Sequence, residues 1–356
     1  MVRSFPSYGS FTNVLLTSEP CREDVCDYEA EASSSASPIP TLSLANRVEM
    51  PFVGLGTTHS GGYYHDVVIH ALRNCGYRMI DTARRYGVER ELGFAWKESG
   101  VPRSELFLCS KLWPVDFGPG TRKAFELSCE KLQTDYLDLF MTHFPVVPEW
   151  LGNPREVHEE TWRQLEMLYD EGRIRALGVS NYSENDLTQL LDYCSIKPHV
   201  NQCEFHPWYN PVGLRSFCAE NDILYTGYCP IAKGKFLDAD VLLKLSAKYN
   251  KTPAQICLRW SLEHGVPVIP KSKEKSRIAE NMNVFDFSLS NDDLREMAVL
   301  QTAPKKLIRF EDLPHKFDLP DGYKLAGRVF GVPRFAVESE VQPSFPNSFT
   351  SAQNVC

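Results

Sequence analysis

Residues 78–100 read RMIDTARRYGVERELGFAWKESG and contain the structural unit from which the whole fold is predicted. The short apolar run at 78–81 is typical of a buried strand, and polar residues follow it directly. Apolar residues then recur at helical spacing over 89–98, and Gly100 is the kind of residue that commonly ends a helix. The stretch therefore predicts one strand and one helix, joined by a polar turn.

The same unit recurs between residue 52 and about residue 300. Eight short apolar runs predict strands at 52–55, 78–81, 106–110, 136–142, 174–179, 199–204, 223–228 and 267–269. Helical patterns lie between them at 64–75, 89–98, 159–171, 183–193, 212–220, 253–264 and 275–282. Alternating strands and helices predict a parallel sheet, and eight units in about 250 residues match a closed (β/α)8 TIM barrel. A doubly wound open sheet is the structural alternative.

The flanking segments predict a hairpin and two less regular ends. Alternating residues at 41–44 and 47–50 predict a short N-terminal β-hairpin that closes the bottom of the barrel. The polar, serine-containing residues 1–38 predict a disordered leader. We expect the barrel to cover 39–301 and a partly irregular C-terminal tail to cover 302–356.

Composition and charge limit the possible partners. With 43% hydrophobic residues and a net charge of −8, the chain resembles a soluble globular protein and lacks the basic surface of a nucleic-acid backbone binder. No apolar run reaches the length of about 18 residues typical of a membrane span. Eleven scattered cysteines without a CxxC pair favour reduced thiols, and a cytoplasmic location is the default. His199, Cys203 and His206 suggest zinc, but on a strand 199 and 203 share a face while 206 does not follow that period, so we expect no metal site. We also expect a monomer.

Polar or ionisable side chains follow the ends of the predicted strands. Barrel enzymes carry their chemistry at the C-terminal ends of the strands, so these side chains are expected at one rim. A single such residue is most often solvated or packed, whereas several ionisable groups of opposed type are typical of a functional site.

Five ordered motifs resemble the aldo-keto reductase superfamily, in the manner of aldose and aldehyde reductases. They are Asp-Thr-Ala-x-x-Tyr-Gly-x-Glu at 81–89, Ser-Lys-Leu-Trp at 110–113, Tyr-Leu-Asp-Leu at 136–139 with His143, Gly-Val-Ser-Asn at 178–181 and Ile-Pro-Lys-Ser at 269–272. The resemblance implies NADPH-dependent reduction of a small aldehyde or ketone to the alcohol. It carries the family's catalytic residues over to Asp81, Tyr86, Lys111 and His143.

These residue types suit proton donation to a nascent alkoxide. A free tyrosine has a pKa of about 10, and an ammonium about 4 Å away attracts a phenolate by roughly 4 kcal/mol at an effective dielectric of 20. Lys111 is therefore expected to lower the pKa of Tyr86, while Asp81 keeps Lys111 charged and in place. His143 is expected to orient the carbonyl oxygen, in a substrate pocket with Trp113 and Phe144.

A basic cluster indicates where the cofactor binds. Lys271, Ser272 and Arg277 lie between the last predicted strand and the start of a helix, an arrangement that suits an anion. The resemblance assigns them to the 2′-phosphate of NADPH; without it, a solvated basic turn would explain them equally well.

The resemblance also assigns residues to the rest of the cofactor. Ser180, Asn181 and Gln202 correspond to the residues that bond the nicotinamide amide, and Tyr228 corresponds to the ring on which the nicotinamide stacks. The remaining cofactor-binding candidates are Thr57, Asp81, Glu280 and Asn281. Ordinary strand-end packing is the alternative for Gln202 and Tyr228.

Several departures from the family pattern leave the substrate open. Thr58, Phe144 and Cys229 stand where Trp, Trp and Ser are common, and the tail beyond Gln301 does not visibly match the family's pocket-closing loop. The second functional hypothesis is a non-enzymatic NADPH-binding accessory or structural protein on the same barrel. Some superfamily members resemble lens crystallins or potassium-channel subunits.

Overall fold

The computed structural model describes residues 39–58, 62–308, 325–329 and 332–335. The predicted leader, 1–38, lies outside these residues, as does most of the predicted tail. The strands are β1 Thr41–Ser43, β2 Glu49–Pro51, β3 Leu55–Gly56, β4 Met79–Asp81, β5 Phe107–Leu112, β6 Leu139–Thr142, β7 Leu177–Ser180, β8 Val200–Glu204 and β9 Leu224–Tyr228. The helices are α1 His65–Asn74, α2 Glu89–Ser99, α3 Thr121–Leu132, α4 Pro154–Asp170, α5 Glu184–Leu191, α6 Val212–Glu220, α7 Asp240–Tyr249, α8 Pro253–Glu263, α9 Lys275–Met282 and α10 Asn291–Met297.

Strands β3 to β9 form one parallel sheet in chain order. The eighth predicted strand is a bridging segment, in which Val268 bridges Val53 on one side and Gly227 of β9 on the other. The Val268 amide donates to the Phe52 carbonyl at 2.9 Å, and the Gly227 amide donates to the Pro267 carbonyl at 2.8 Å. These bonds join the two edges of the sheet, so the predicted (β/α)8 barrel is confirmed and the open sheet is wrong.

The N-terminal hairpin closes the bottom of the barrel, as predicted. Strands β1 and β2 pair antiparallel, with Leu42 opposite Met50. Leu44 and Met50 are buried in one cluster with Met79 and Phe107, which lie at the N-terminal ends of β4 and β5. The opposite, C-terminal ends of the strands are left as the open mouth.

Three helices were not predicted, namely α3, α7 and α10. Helix α10 has a recognisable start, because Ser290 and Asp293 form a reciprocal capping box. Helix α3 follows the sequence Gly118-Pro119-Gly120, which is typical of a turn and obscures the helix after it. The other seven helices lie where the periodicity predicts them, with shifts at their ends.

The described residues beyond 318 belong to a separate unit. Strand β10, Leu325–Val329, pairs antiparallel with β11, Val332–Phe335. Neither strand is predicted from the sequence.

Gly56 allows the backbone to pass closely along the barrel seam, and replacing it by alanine tests this. The added Cβ would lie 2.6 Å from the Ile269 carbonyl oxygen, a backbone atom of the closing segment. We expect Gly56→Ala to lower the free energy of unfolding by about 1–3 kcal/mol, measured by chemical denaturation.

Gly120→Ala is the matched control. No atom lies within 4 Å of its added Cβ in the described structure, and its backbone is already right-handed helical. Equal unfolding free energies for the two variants would contradict a close-packed seam.

Candidate active site

The predicted site residues converge at the mouth of the barrel. Asp81 ends β4, Lys111 lies next to the end of β5, and His143 directly follows β6. The ends of β7 and β9 supply Ser180 and Tyr228. Because the strands are parallel, all of these positions lie at one rim.

A buried ion pair forms the centre of this rim. Lys111 Nζ lies 2.5 Å from Asp81 Oδ1, and each residue is only 1% exposed. Lys111 also donates to the Thr82 carbonyl at 3.0 Å, and Gln202 Nε2 donates to Asp81 Oδ2 at 2.9 Å. These added bonds offset the cost of removing both charges from water.

Tyr86 and His143 lie beside this pair. Tyr86 ends the short 3-10 turn Arg84–Tyr86 after β4, and Lys111 Nζ lies 5.6 Å from the centre of its ring. The His143 ring meets the Tyr86 ring edge-on, with 5.5 Å between their centres. The structure therefore brings the four predicted catalytic residues into one cluster.

The pKa of Tyr86 differs in direction from the expectation. Burial raises the pKa of Tyr86 above its usual value; the Lys111 ammonium opposes this effect without outweighing it, and Asp81 and Cys229 add to it. For Lys111, burial lowers the pKa, but the Asp81 carboxylate and Tyr86 more than reverse this, so the net pKa is raised. The site thus holds a neutral phenol beside a charged ammonium.

An aromatic wall extends from His143. Trp113 meets His143 edge-on with 5.1 Å between ring centres, and Phe144 stacks on His143 at 5.2 Å. Trp113 and Phe144 form a buried cluster, against which Val115, Val146 and Ile308 pack. The expected apolar wall is present, with Ile308 as an added member.

The residues assigned to the nicotinamide form a hydrogen-bonded group. Tyr228 donates its hydroxyl to Asn181 Oδ1 at 2.7 Å, and Asn181 Nδ2 donates to the His143 carbonyl at 2.9 Å. Ser180 donates to the Gln202 carbonyl at 2.7 Å. Asn181 has a positive φ of 65°, which asparagine tolerates better than most residues.

The three residues of the predicted basic cluster have different surroundings. The Lys271 ammonium donates to the carbonyl oxygens of Thr58 and Gly62, so it holds the neighbouring chain segment. Arg277 lies in the first turn of α9 and is exposed. Ser272 accepts a bond from the Glu274 amide at 3.0 Å.

Three further cofactor candidates have structural contacts. Thr57 donates to the Asp81 carbonyl at 2.9 Å, and Glu280 accepts from Thr252 at 2.6 Å. Asn281 is buried in α9.

Within the described part of the chain, no group of three or more His, Cys, Asp or Glu residues could hold a metal ion. His199 lies just before β8 and His206 beyond its end, so the strand separates them. In the same part of the chain, no helix is both long enough and apolar enough to cross a bilayer.

Most of the chain matches a known enzyme family. Residues 53–301 match the sequence profile of the aldo/keto reductase family. The chain belongs to the aldo/keto reductase family. An uncharacterized oxidoreductase of Caenorhabditis elegans is 53% identical over 317 residues, 89% of this chain and 98% of that relative. A glyoxal reductase of Bacillus subtilis is 45% identical over 263 residues, 73% of this chain and 92% of that relative.

The fold agrees with a solved structure of the family. The crystal structure of a Bombyx mori aldo-keto reductase in complex with NADP has a TM-score of 0.72 and 30% identity, and the match covers 78% of this chain and 97% of that chain.

This aldo/keto reductase also holds the segment 305–308 by a residue that was not predicted. The buried Glu204 carboxylate accepts bonds from the backbone amides of Leu307 and Ile308 at 2.6 and 2.8 Å. His206 Nε2 lies 3.0 Å from the same carboxylate. The available signal was a carboxylate at the end of a buried strand, because a buried charge requires partners.

Replacing Glu204 by alanine tests this anchor. The change removes the acceptor of two backbone amides, so we expect a loss of about 1–3 kcal/mol in unfolding free energy. We also expect faster tryptic cleavage after Lys305 and Lys306, mapped by mass spectrometry. Glu220→Ala, an exposed change on α6, is the control. Unchanged cleavage at these two lysines would contradict the anchor.

Proposed function

We propose that this aldo/keto reductase is an NADPH-dependent carbonyl reductase that converts an aldehyde or ketone to the alcohol, with Tyr86 as proton donor. The observation that carries the proposal is the buried Asp81–Lys111 pair, with Tyr86 and His143 beside it at the barrel mouth. The similarity to a relative named glyoxal reductase supports a small carbonyl compound as substrate.

The protonation states support Tyr86 as a general acid. Since burial raises its pKa, the phenol keeps its proton throughout the neutral range but is a weak acid, so donation depends on stabilisation of the phenolate. When the proton leaves, the Lys111 ammonium stabilises the phenolate, and Asp81 keeps that ammonium charged. Positioned acid catalysis of this kind contributes typically ~10²–10⁴-fold.

His143 and the aromatic wall suit substrate positioning. The His143 ring contacts the rings of both Tyr86 and Trp113, so a carbonyl oxygen held near the imidazole would also lie near the phenol. Trp113 and Phe144 would exclude water from this side and strengthen the electrostatic effect of Lys111.

The remaining rim residues fit NADPH by their chemistry. The hydroxyl and amide groups of Ser180, Asn181 and Gln202 match a carboxamide, and Tyr228 offers an aromatic face. Arg277, in the first turn of α9, supplies positive charge where the helix N-terminus also favours an anion. When bound, NADPH supplies the hydride for reduction.

The test of this function is turnover of simple aldehydes with NADPH and its dependence on Tyr86. We expect loss of NADPH absorbance with the unaltered protein, and a decrease in kcat of about 100-fold or more in Tyr86→Phe, because the proton donor is removed. Stopped-flow absorbance gives the rates, and fluorescence titration checks that the variant still binds NADPH.

Tyr169→Phe is the matched control, because it removes a hydroxyl at the other end of the barrel, where Tyr169 contacts Asn46. A near-normal kcat in Tyr86→Phe would remove Tyr86 from the acid role. Tight NADPH binding without turnover of any carbonyl would instead favour the non-enzymatic accessory or structural role.

A second prediction concerns the choice of NADPH over NADH. Arg277→Ala is expected to weaken NADPH binding by about tenfold or more and NADH binding much less, because only NADPH carries a 2′-phosphate for the guanidinium to bind. Fluorescence titration with each dinucleotide measures both dissociation constants.

Arg47→Ala, an exposed change in the N-terminal hairpin, is the control for the lost charge. An equal loss of affinity for both dinucleotides in Arg277→Ala would argue against a phosphate contact.

A further inference from the structure

Two adjacent arginines at the barrel mouth have different partners. Arg84 forms an ion pair with Asp116 at 2.9 Å and is largely buried. Arg85 is exposed, and within residues 39–58 and 62–308 no carboxylate lies within ion-pair distance of it. Asp116 is already engaged by Arg84, and the buried Glu89 accepts a bond from Ser110. The nearby carboxylates therefore leave the charge of Arg85 uncompensated.

Arg85 lies on the substrate side of the site. It immediately precedes Tyr86, and its guanidinium carbon lies 5.6 Å from the centre of the Trp113 ring. Trp113 in turn meets His143 at 5.1 Å. The Trp113 ring therefore separates the guanidinium from the imidazole. A substrate built on a small ring or a short chain is long enough to contact both groups.

The contact with Trp113 gives the Arg85 side chain a defined position. A cation over an aromatic ring at an exposed position, such as that of Arg85, is held by roughly 0.5–1 kcal/mol, which is enough to favour one orientation and leaves the N–H groups available. A guanidinium presents its donors in a planar fork that matches the two oxygens of a carboxylate.

Other positive charges lie near the same mouth. Lys305 and Lys306 belong to the segment that Glu204 anchors, and Ile308 of this segment packs against Trp113 and Phe144. The Lys305 ammonium lies 4.0 Å from the centre of the Phe236 ring, and the Lys306 ammonium lies 5.7 Å from that of Tyr209. Among the described residues, Arg85 is thus the cation placed over Trp113 of the aromatic wall.

We propose that Arg85 binds a carboxylate of the substrate, so that the preferred substrate class is a carbonyl compound that carries a carboxylate group. The inference rests on the proposed carbonyl reductase function and deepens it. The carboxylate binds the guanidinium above Trp113, while the carbonyl group at the other end of the molecule lies between His143 and Tyr86.

The test compares 4-carboxybenzaldehyde with its uncharged methyl ester as substrates of the full chain with NADPH; their other differences cancel when the ratio of the two rates is compared between variants. We expect the unaltered protein to have a higher kcat/KM for the carboxylate. In Arg85→Leu, the ratio of the two kcat/KM values should fall by about tenfold, mainly through KM for the carboxylate. Assays well above pH 6 keep Asp116 ionised, because burial raises the pKa of that carboxyl to about 6.

Two variants and one condition serve as controls. Arg85→Lys keeps the charge without the planar fork, so its ratio should be intermediate. Arg90→Leu removes the same charge from an exposed position on α2 and should leave the ratio unchanged. Added salt should lower the ratio in the unaltered protein and have less effect in Arg85→Leu.

The outcomes separate this inference from the proposed function. Reduction of both aldehydes, with a ratio that Arg85→Leu does not change, overturns the role of Arg85 and leaves carbonyl reduction intact. No reduction of these or any other carbonyl compounds overturns the proposed function, and the inference with it.

Discussion

The buried ion pair between Asp81 and Lys111 is the interaction on which the site depends. Two charges removed from water cost several kcal/mol each, so the pair is tolerated only with good geometry and further hydrogen bonds. Lys111 comes from β5 and Asp81 from neighbouring β4, but Gln202, which bonds the second oxygen of Asp81, comes from β8. The Gln202 bond therefore depends on the barrel, which brings strands β4 and β8 to face each other across the interior. The bridges of Val268, which close the barrel, therefore also support the site.

Burial also decides the chemistry of Tyr86. If Lys111 and Tyr86 are considered alone, the ammonium is expected to lower the pKa of the phenol. In the folded chain, desolvation acts on the phenolate more strongly, and Asp81 cancels part of the field of Lys111. A phenol that remains neutral is suited to donate a proton during reduction. In the proposed reduction, the Lys111 ammonium would act mainly after the proton has left, by stabilising the phenolate.

Local patterns predicted most of this arrangement, and long-range contacts account for most of what was missed. Strands β4 to β9 were recognisable because each is a short apolar run, and the site residues because they follow those runs directly. The segment that closes the barrel pairs through isolated bridges at Val268. Its sequence pattern predicts a full strand, which is longer than the pairing observed. Glu204 was missed because its partners lie 103 and 104 residues away, in a segment without periodicity. The pKa of Tyr86 was missed because burial is a property of the assembled fold.

Charge at the barrel mouth shows why total charge is a poor guide to ligand class. The net charge of −8 excludes a general affinity for polyanions, yet the cations at the mouth differ in what they can do. Lys271 donates to backbone carbonyls and Arg84 pairs with Asp116, so both charges already have protein partners. Arg277 and Arg85 are exposed on separate elements, α9 and the turn after β4. In the proposed reaction, Arg277 would bind the 2′-phosphate of the dinucleotide and Arg85 the carboxylate of the carbonyl compound, so the two exposed charges would have separate roles.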